Sequence, residues 1–216
     1  MNDITKQIAT VIGDDPVVES SNHNYTCFDT GGIETQVGEF LYGFVTLMRP
    51  QFICETGTYS GISAMYMALA LRENGYGVLD TIEFEKIHYQ RSKERFVKLG
   101  LQSVIVQHLM PSLEFTPAHS YDLLFLDTEL NLRFHELVKL YSSLTPGGYV
   151  FIHDMPVNLC QENINPDHPD FKHWPVGEIP QQVKDWVNKG ELRPMYFKNP
   201  RGMVGFYKIR QDEYKW

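Results

Sequence analysis

The sequence predicts a doubly wound α/β fold: seven strands in a mostly parallel sheet, helices on both of its sides, and an antiparallel hairpin at the C-terminal end. Three observations lead there. Short apolar runs alternate with segments of helical period across residues 52–153, the pattern of strand–helix–strand units. The loop Glu55-Thr56-Gly57-Thr58-Tyr59-Ser60-Gly61-Ile62-Ser63 joins the first of these strands to its helix. Near the end, two β-like runs at 193–198 and 203–209 flank Asn199-Pro200-Arg201-Gly202, a turn signal.

The elements follow in order. Residues 3–12 read as a short helix and 13–32 as loop. Over 34–48, Val37, Phe40, Leu41, Phe44, Val45 and Met48 recur at helical spacing, and Arg49-Pro50 stops the helix because a residue before proline is pushed out of the α region. Residues 52–55 read as strand, 62–73 as helix, 77–83 as strand, and 86–99 as a helix ended by Gly100. A third strand is expected at 103–107. The fourth, 121–126, is apolar throughout, as a strand buried on both faces should be. Residues 131–143 read as helix. Pro146-Gly147-Gly148 reads as a turn ahead of a fifth strand at 149–153, and 179–188 as a helix stopped by Gly190. A plain dinucleotide-binding fold would end in a sixth parallel strand instead of a hairpin. The expected division is an N-terminal arm at 1–32 and one domain at 33–216. Within it, residues 155–177, rich in Asn, Asp, Pro and His, form a long loop past the carboxyl end of a strand, where a substrate lid is expected.

Composition narrows the classes. A chain of 216 residues with 43% apolar residues suits a single domain with a sizeable core. A formal charge of −8 argues against non-specific nucleic-acid binding and against an anionic membrane surface as partner. Cys27, Cys54 and Cys160 are far apart and odd in number, so neither a disulfide framework nor a zinc knuckle is suggested. No apolar run reaches the ~20 residues of a membrane span. The first residues show no basic stretch followed by an apolar one, so a cytoplasmic protein is expected. An N-terminal helical arm packed on a second copy would make a homodimer.

The glycine loop carries most of the chemistry. Glycines let backbone approach a ligand closely and adopt torsions that a side chain forbids, and the helix start offers unpaired N–H groups. A dinucleotide loop needs G-x-G-x-x-G under a pyrophosphate. Here Gly57 and Gly61 are four apart, Tyr59 fills the place of the second glycine, and Glu55 stands two residues before the first. That carboxylate would repel a diphosphate and favour a cationic ligand, one carrying an amino group and a sulfonium.

Glu-x-Gly-x-x-x-Gly-x-Ser resembles motif I of class I S-adenosylmethionine-dependent methyltransferases. Its wording is similar to the small-molecule O-methyltransferases of the catechol and caffeoyl-CoA type and to their sugar- and antibiotic-modifying relatives. The resemblance covers about residues 33–209 and implies a Rossmann-like sheet. By that resemblance Glu55, Gly57, Thr58, Tyr59, Gly61 and Ser63 hold the methionine part of S-adenosylmethionine. Glu83, at the end of the second strand, accepts hydrogen bonds from the ribose diol, with Glu85 as a shifted alternative. Gln107-His108-Leu109 departs from the Gly-Asp or Gly-Ser pair that often touches adenine, so no adenine residue is assigned.

The fourth strand ends in Leu126-Asp127-Thr128-Glu129 and the fifth in Ile152-His153-Asp154. Asp127, also on the cofactor side, and Asp154 resemble the acid pair that holds a divalent cation such as Mg²⁺ in the catechol and caffeoyl-CoA type. Such a cation would bind the acceptor hydroxyl and lower its pKa. Met155 follows where those enzymes have an acidic or amide residue, leaving Asn158, Asp167 or Asp170 as the third ligand. Without a metal, His153, His135 or Asp154 is the general base; the histidine that the family often carries two residues past the strand-four acid is Glu129 here. His168 and His173 are spaced to allow a metal, and Phe171 and Trp174 could line an apolar pocket. The expected activity is O-methylation of a small hydroxylated acceptor, aromatic or sugar-containing. The alternatives are a cofactor-binding accessory protein and an NAD-dependent oxidoreductase.

Overall fold

The structure is a computed structural model that describes residues 2–19, 25–155 and 179–210. Its seven-stranded sheet runs β5-β4-β3-β6-β7-β9-β8, with a separate two-stranded sheet of β1 and β2. The chain divides into two compact units, residues 1–115 and 116–216.

In the first unit, α1 (Asp3–Ile12) begins where the Asn2 side chain accepts the Thr5 N–H at 2.8 Å and ends at Gly13, whose φ of +92° suits only glycine well. β1 (Val17–Glu19) pairs antiparallel with β2 (Tyr25–Cys27). Sequence reasoning assigned both to loop, because three residues are too few to show a period. α2 (Thr35–Met48) ends with Arg49 at φ +51°, ahead of Pro50. β3 (Phe52–Thr56), β4 (Val78–Glu83) and β5 (Ile105–Leu109) run parallel, with β4 in the centre of the three. α3 (Ile62–Asn74) links β3 to β4, and α4 (Lys86–Lys98) links β4 to β5.

α3 is buried at every position from Ile62 to Leu71, so its sequence is apolar all round rather than striped. A Cβ at Gly38 of α2 would overlap the Tyr66 ring, so that glycine sets how closely α2 and α3 pack. The Thr5 hydroxyl donates to Glu39 at 2.9 Å, which leaves it the acceptor of the Tyr66 hydroxyl at 2.8 Å. This chain ties α1, α2 and α3 together, so the described part of the expected arm lies packed within the first unit. The third strand begins two residues later than expected. His108 is therefore inside β5, and the strand ends at Leu109.

In the second unit, β6 (Tyr121–Leu126) pairs parallel with β7 (Leu144–His153). Tyr121 faces Leu144 but Leu123 faces Tyr149, so Pro146-Gly147-Gly148 forms a bulge inside the strand and not a turn ahead of it. Gly147 there has φ +88°. α5 (Arg133–Leu140) and a 3₁₀ turn at Tyr141–Ser143 join these strands. After α6 (Gln181–Asn188), β8 (Leu192–Phe197) and β9 (Met203–Lys208) form the expected antiparallel hairpin, with β9 pairing antiparallel to β7. Tyr141 stacks on Trp186 of α6 with ring centroids 3.7 Å apart, and Lys208 Nζ donates to the carbonyls of Tyr141 and Leu144, both at 2.8 Å. Among the described residues, no helix is long and apolar enough to cross a membrane.

Candidate active site

The glycine loop sits at the carboxyl end of β3. Gly57 and Gly61 have φ of +85° and +80°, and Tyr59, although not a glycine, has φ +47°. That left-handed residue costs energy and persists because its surroundings fix it. The Tyr59 N–H donates to Glu83 Oε2 at 2.7 Å, its ring packs on His88 at 4.5 Å, and a Cβ at Gly31 would stand 2.9 Å from the ring. The N–H groups of Gly57 and Thr58 both donate to the Ile82 carbonyl, at 3.0 and 3.2 Å. The loop is thus folded down onto the end of β4. Arg95 of α4 closes it from outside, donating to the Ser60 carbonyl at 2.7 Å.

Glu55 lies beneath the loop rather than at its mouth. Its side chain is fully buried; Ser63 donates to Oε1 and Thr81 to Oε2, each at 2.5 Å. Thr81 has one hydroxyl proton and gives it to Glu55, so the 2.5 Å contact between Thr58 and Thr81 is a bond donated by Thr58. Thr58, Thr81, Glu55 and Ser63 form one hydrogen-bonded chain linking β3, the loop, β4 and α3. The sequence picture of a carboxylate open to a cationic ligand is corrected on this point. The carboxylate is buried, and its two oxygens brace the scaffold through Ser63 and Thr81.

Glu83 is also nearly buried. Besides Tyr59 N–H, it accepts the Glu85 N–H at 2.7 Å, while Glu85 itself is exposed. Each carboxylate oxygen has a second lone pair, so these bonds orient Glu83 without exhausting it as an acceptor for a diol. Gln107 donates to the Tyr89 carbonyl and to Ser92, and His108 pairs with buried Asp80 at 2.7 Å. Both are engaged with the scaffold.

The second cluster lies at the carboxyl ends of β6 and β7. Asp127, His153 and Asp154 present ligand-type atoms within 4.8 Å of one another. His153 is fully buried, with Nδ1 3.2 Å from Asp127 Oδ1 and 3.6 Å from Asp154 Oδ1. Two arginines that sequence reasoning missed enter the cluster. Arg133, at the start of α5, is 4% exposed; one of its terminal nitrogens lies 2.9 Å from Asp127 Oδ1 and 3.4 Å from Asp154 Oδ2. It also donates to the carbonyls of Thr128, at 2.8 Å, and His153. Arg201, in the β8–β9 turn, grips Asp154 with two nitrogens, at 2.6 Å from Oδ1 and 2.7 Å from Oδ2. Asp154 itself has φ +53°. Burial alone would push the Asp127 carboxyl up. The charges of His153 and Arg133, the hydrogen bond from His153 and the charge of Arg201 outweigh it and hold Asp127 below the usual carboxylate range. His135 and Glu129 are exposed and lie outside this cluster. Asn158, Asp167, His168, Asp170, Phe171, His173 and Trp174, and the lid expected at 155–177 apart from Met155, lie outside the described residues.

Residues 54–155, which span both clusters' strand ends, match the family described as a methyltransferase domain. Over those residues the chain is similar to a methyltransferase domain. A provisionally named O-methyltransferase of Mycobacterium sp. (strain JLS) is 27% identical over 146 residues, 66% of this chain and 66% of that one. The curated relatives are therefore matched over about two thirds of their own length. Among solved structures, the methyltransferase PaMTH1 of Podospora anserina, bound to S-adenosylhomocysteine, aligns with a TM-score of 0.73 at 16% identity, covering 97% of this chain and 89% of that one. The O-methyltransferase TomG of Streptomyces achromogenes, involved in tomaymycin synthesis and in complex with S-adenosylmethionine, aligns at 0.68 and 18% identity, covering 97% and 91%. At such identity these likenesses establish the shared fold. The glycine loop brings together two left-handed glycines, the carboxylate of Glu83 and the buried carboxylate of Glu55.

Proposed function

We propose that this methyltransferase domain transfers a methyl group from S-adenosylmethionine to a hydroxyl oxygen of a small metabolite, aromatic or sugar-containing. The observation that carries the reading is the braced glycine loop, with Glu55 behind it and Glu83 at its edge, inside the segment that matches a methyltransferase domain. When bound, S-adenosylmethionine would supply an electrophilic methyl group on a cationic sulfonium; the acceptor oxygen attacks that carbon as the carbon–sulfur bond breaks, S-adenosylhomocysteine leaves, and the hydroxyl proton is lost to solvent by way of Asp127.

The chain's residues do the rest. Gly57 and Gly61 let backbone lie close to the methionine part, and Glu55 makes that region negative. Glu83 receives the ribose diol. Asp127, 12% exposed in its side chain and held ionised, accepts the hydrogen bond of the acceptor hydroxyl and aims its oxygen. His153 fixes the orientation of Asp127 from behind and is a positioning residue, since it is fully buried.

The test is transfer of isotopically labelled methyl to a panel of phenols, catechols and glycosides. Label is expected on oxygen, and Asp127→Asn should lower kcat by about 10²-fold while leaving cofactor binding intact. Label transferred only to nitrogen or carbon acceptors would overturn the reading.

A further inference from the structure

The acid pair at the ends of β6 and β7 has the residue types of a divalent-cation site, yet its oxygens are already engaged by cationic side chains. We propose that the guanidinium groups of Arg133 and Arg201 occupy the place of a divalent cation between Asp127 and Asp154, so that this site works without a metal.

The charge count is the first argument. Asp127 and Asp154 bring two negative charges, and Arg133 and Arg201 bring two positive ones within 2.6–3.4 Å of their oxygens. A divalent cation entering there would meet a neutralised cluster and two fixed guanidiniums, and like charges at such range disfavour it strongly.

Geometry is the second. Mg²⁺ demands near-octahedral oxygens at about 2.0–2.1 Å. Asp154, by contrast, is already paired with a guanidinium: Arg201 donates to its Oδ2 at 2.7 Å and holds Nε 2.6 Å from its Oδ1. Arg133 cannot withdraw readily. It is buried, bonded to two backbone carbonyls as well as to the acids, and rooted at the first residue of α5.

The neighbouring position is the third. Met155 is 1% exposed and stands where a further oxygen ligand would be wanted; a thioether suits soft metals and not magnesium. The left-handed backbone at Asp154 belongs to the same arrangement, ending β7 where its carboxylate meets the hairpin turn that carries Arg201. The arginines thus hold the two carboxylates in place, as positioning residues for the reaction proposed above.

This proposal rests on the methyl-transfer reading for its purpose, but its test does not pass through cofactor or activity. Full-length protein, stripped with EDTA and desalted, is titrated with Mn²⁺ alone, with free Mn²⁺ read by electron paramagnetic resonance. The wild type should bind no Mn²⁺ more tightly than about 1 mM, the weak end of protein oxygen sites. Arg201→Ala, whose fold is checked by circular dichroism, should gain affinity by roughly tenfold or more, the coupling expected of a charge a few ångströms away. Arg201→Lys should keep the metal out. A wild-type Mn²⁺ site tighter than about 0.1 mM that Asp154→Asn abolishes would overturn the proposal. Failure of Arg201→Ala to gain affinity would overturn the role given to that arginine.

Discussion

Thr81→Val is the most informative single change in the first unit. Threonine and valine have nearly the same shape and both favour strands, so β4 should keep its backbone and packing. The substitution removes the hydroxyl that stands between Thr58 and Glu55. Two hydrogen bonds go with it. The one to the Glu55 carboxylate is charge-assisted and worth about 1.5–3 kcal/mol, and the one from Thr58 is neutral and worth about 0.5–1.5 kcal/mol. Both are buried, so water cannot replace them. The sum is about 2–4.5 kcal/mol. For a chain of this size that lowers Tm by roughly 4–18 °C.

Differential scanning calorimetry at neutral pH measures it, with Thr81→Ser as the control that restores the hydroxyl and most of the stability. Because the same chain fixes Thr58 in the glycine loop, the variant should also bind S-adenosylhomocysteine about tenfold or more weakly. A Thr81→Val protein within about 0.5 kcal/mol of the wild type, with unchanged affinity, would refute the idea that this chain braces the loop.

Two further outcomes follow from the same unit. Gly61→Ala should destabilise by about 1–3 kcal/mol, since Gly61 has φ +80° and an added Cβ would stand 2.8 Å from Phe96 and 2.9 Å from Ser92; chemical denaturation measures it, and a neutral result would contradict the packing described. Burial pushes the Tyr66 hydroxyl up from 10.0 to about 12, against the lowering effect of its bond to Thr5 and with a small upward push from Glu39. The folded state therefore holds that proton more tightly than the unfolded chain. Its contribution is complete below pH 10 and is lost as pH rises from 10 to about 12, so denaturation midpoints measured across that window should fall, and should fall less in Tyr66→Phe.

Much of the fold could be read from residue order. The alternation of apolar runs with helical periods placed β3 to β7, and Asn199-Pro200-Arg201-Gly202 marked the hairpin. The errors have local causes. β5 lies two residues past its expected place because pairing with β4, Leu79 to Ile105 through Glu83 to Leu109, decides its limits rather than the apolar run alone. Pro146-Gly147-Gly148 has turn composition, but a bulge uses the same residues.

In the candidate site, Gly57 and Gly61 stand out by their spacing in the loop, and Glu55, Glu83, Asp127, His153 and Asp154 by their places at strand ends. What remained hidden was direction. Nothing in the loop's own letters says that Glu55 faces Ser63 and Thr81, since those partners lie eight and twenty-six residues away. Arg133 and Arg201 were hidden for the same reason. One starts a helix and the other sits in a turn, where arginine is ordinarily a solvated residue. The available signal was indirect: two acids at strand ends followed by Met155, a residue unable to complete an oxygen site, call for positive charge from elsewhere in the chain.

Titration calorimetry of purified protein with S-adenosylhomocysteine, paired with a thermal shift, tests the cofactor assignment most directly. One site of micromolar affinity is predicted, with a stabilisation of about 2.7 kcal/mol at a hundredfold excess over Kd, or roughly 5–11 °C in Tm. No heat and no shift with either S-adenosylhomocysteine or S-adenosylmethionine would contradict it.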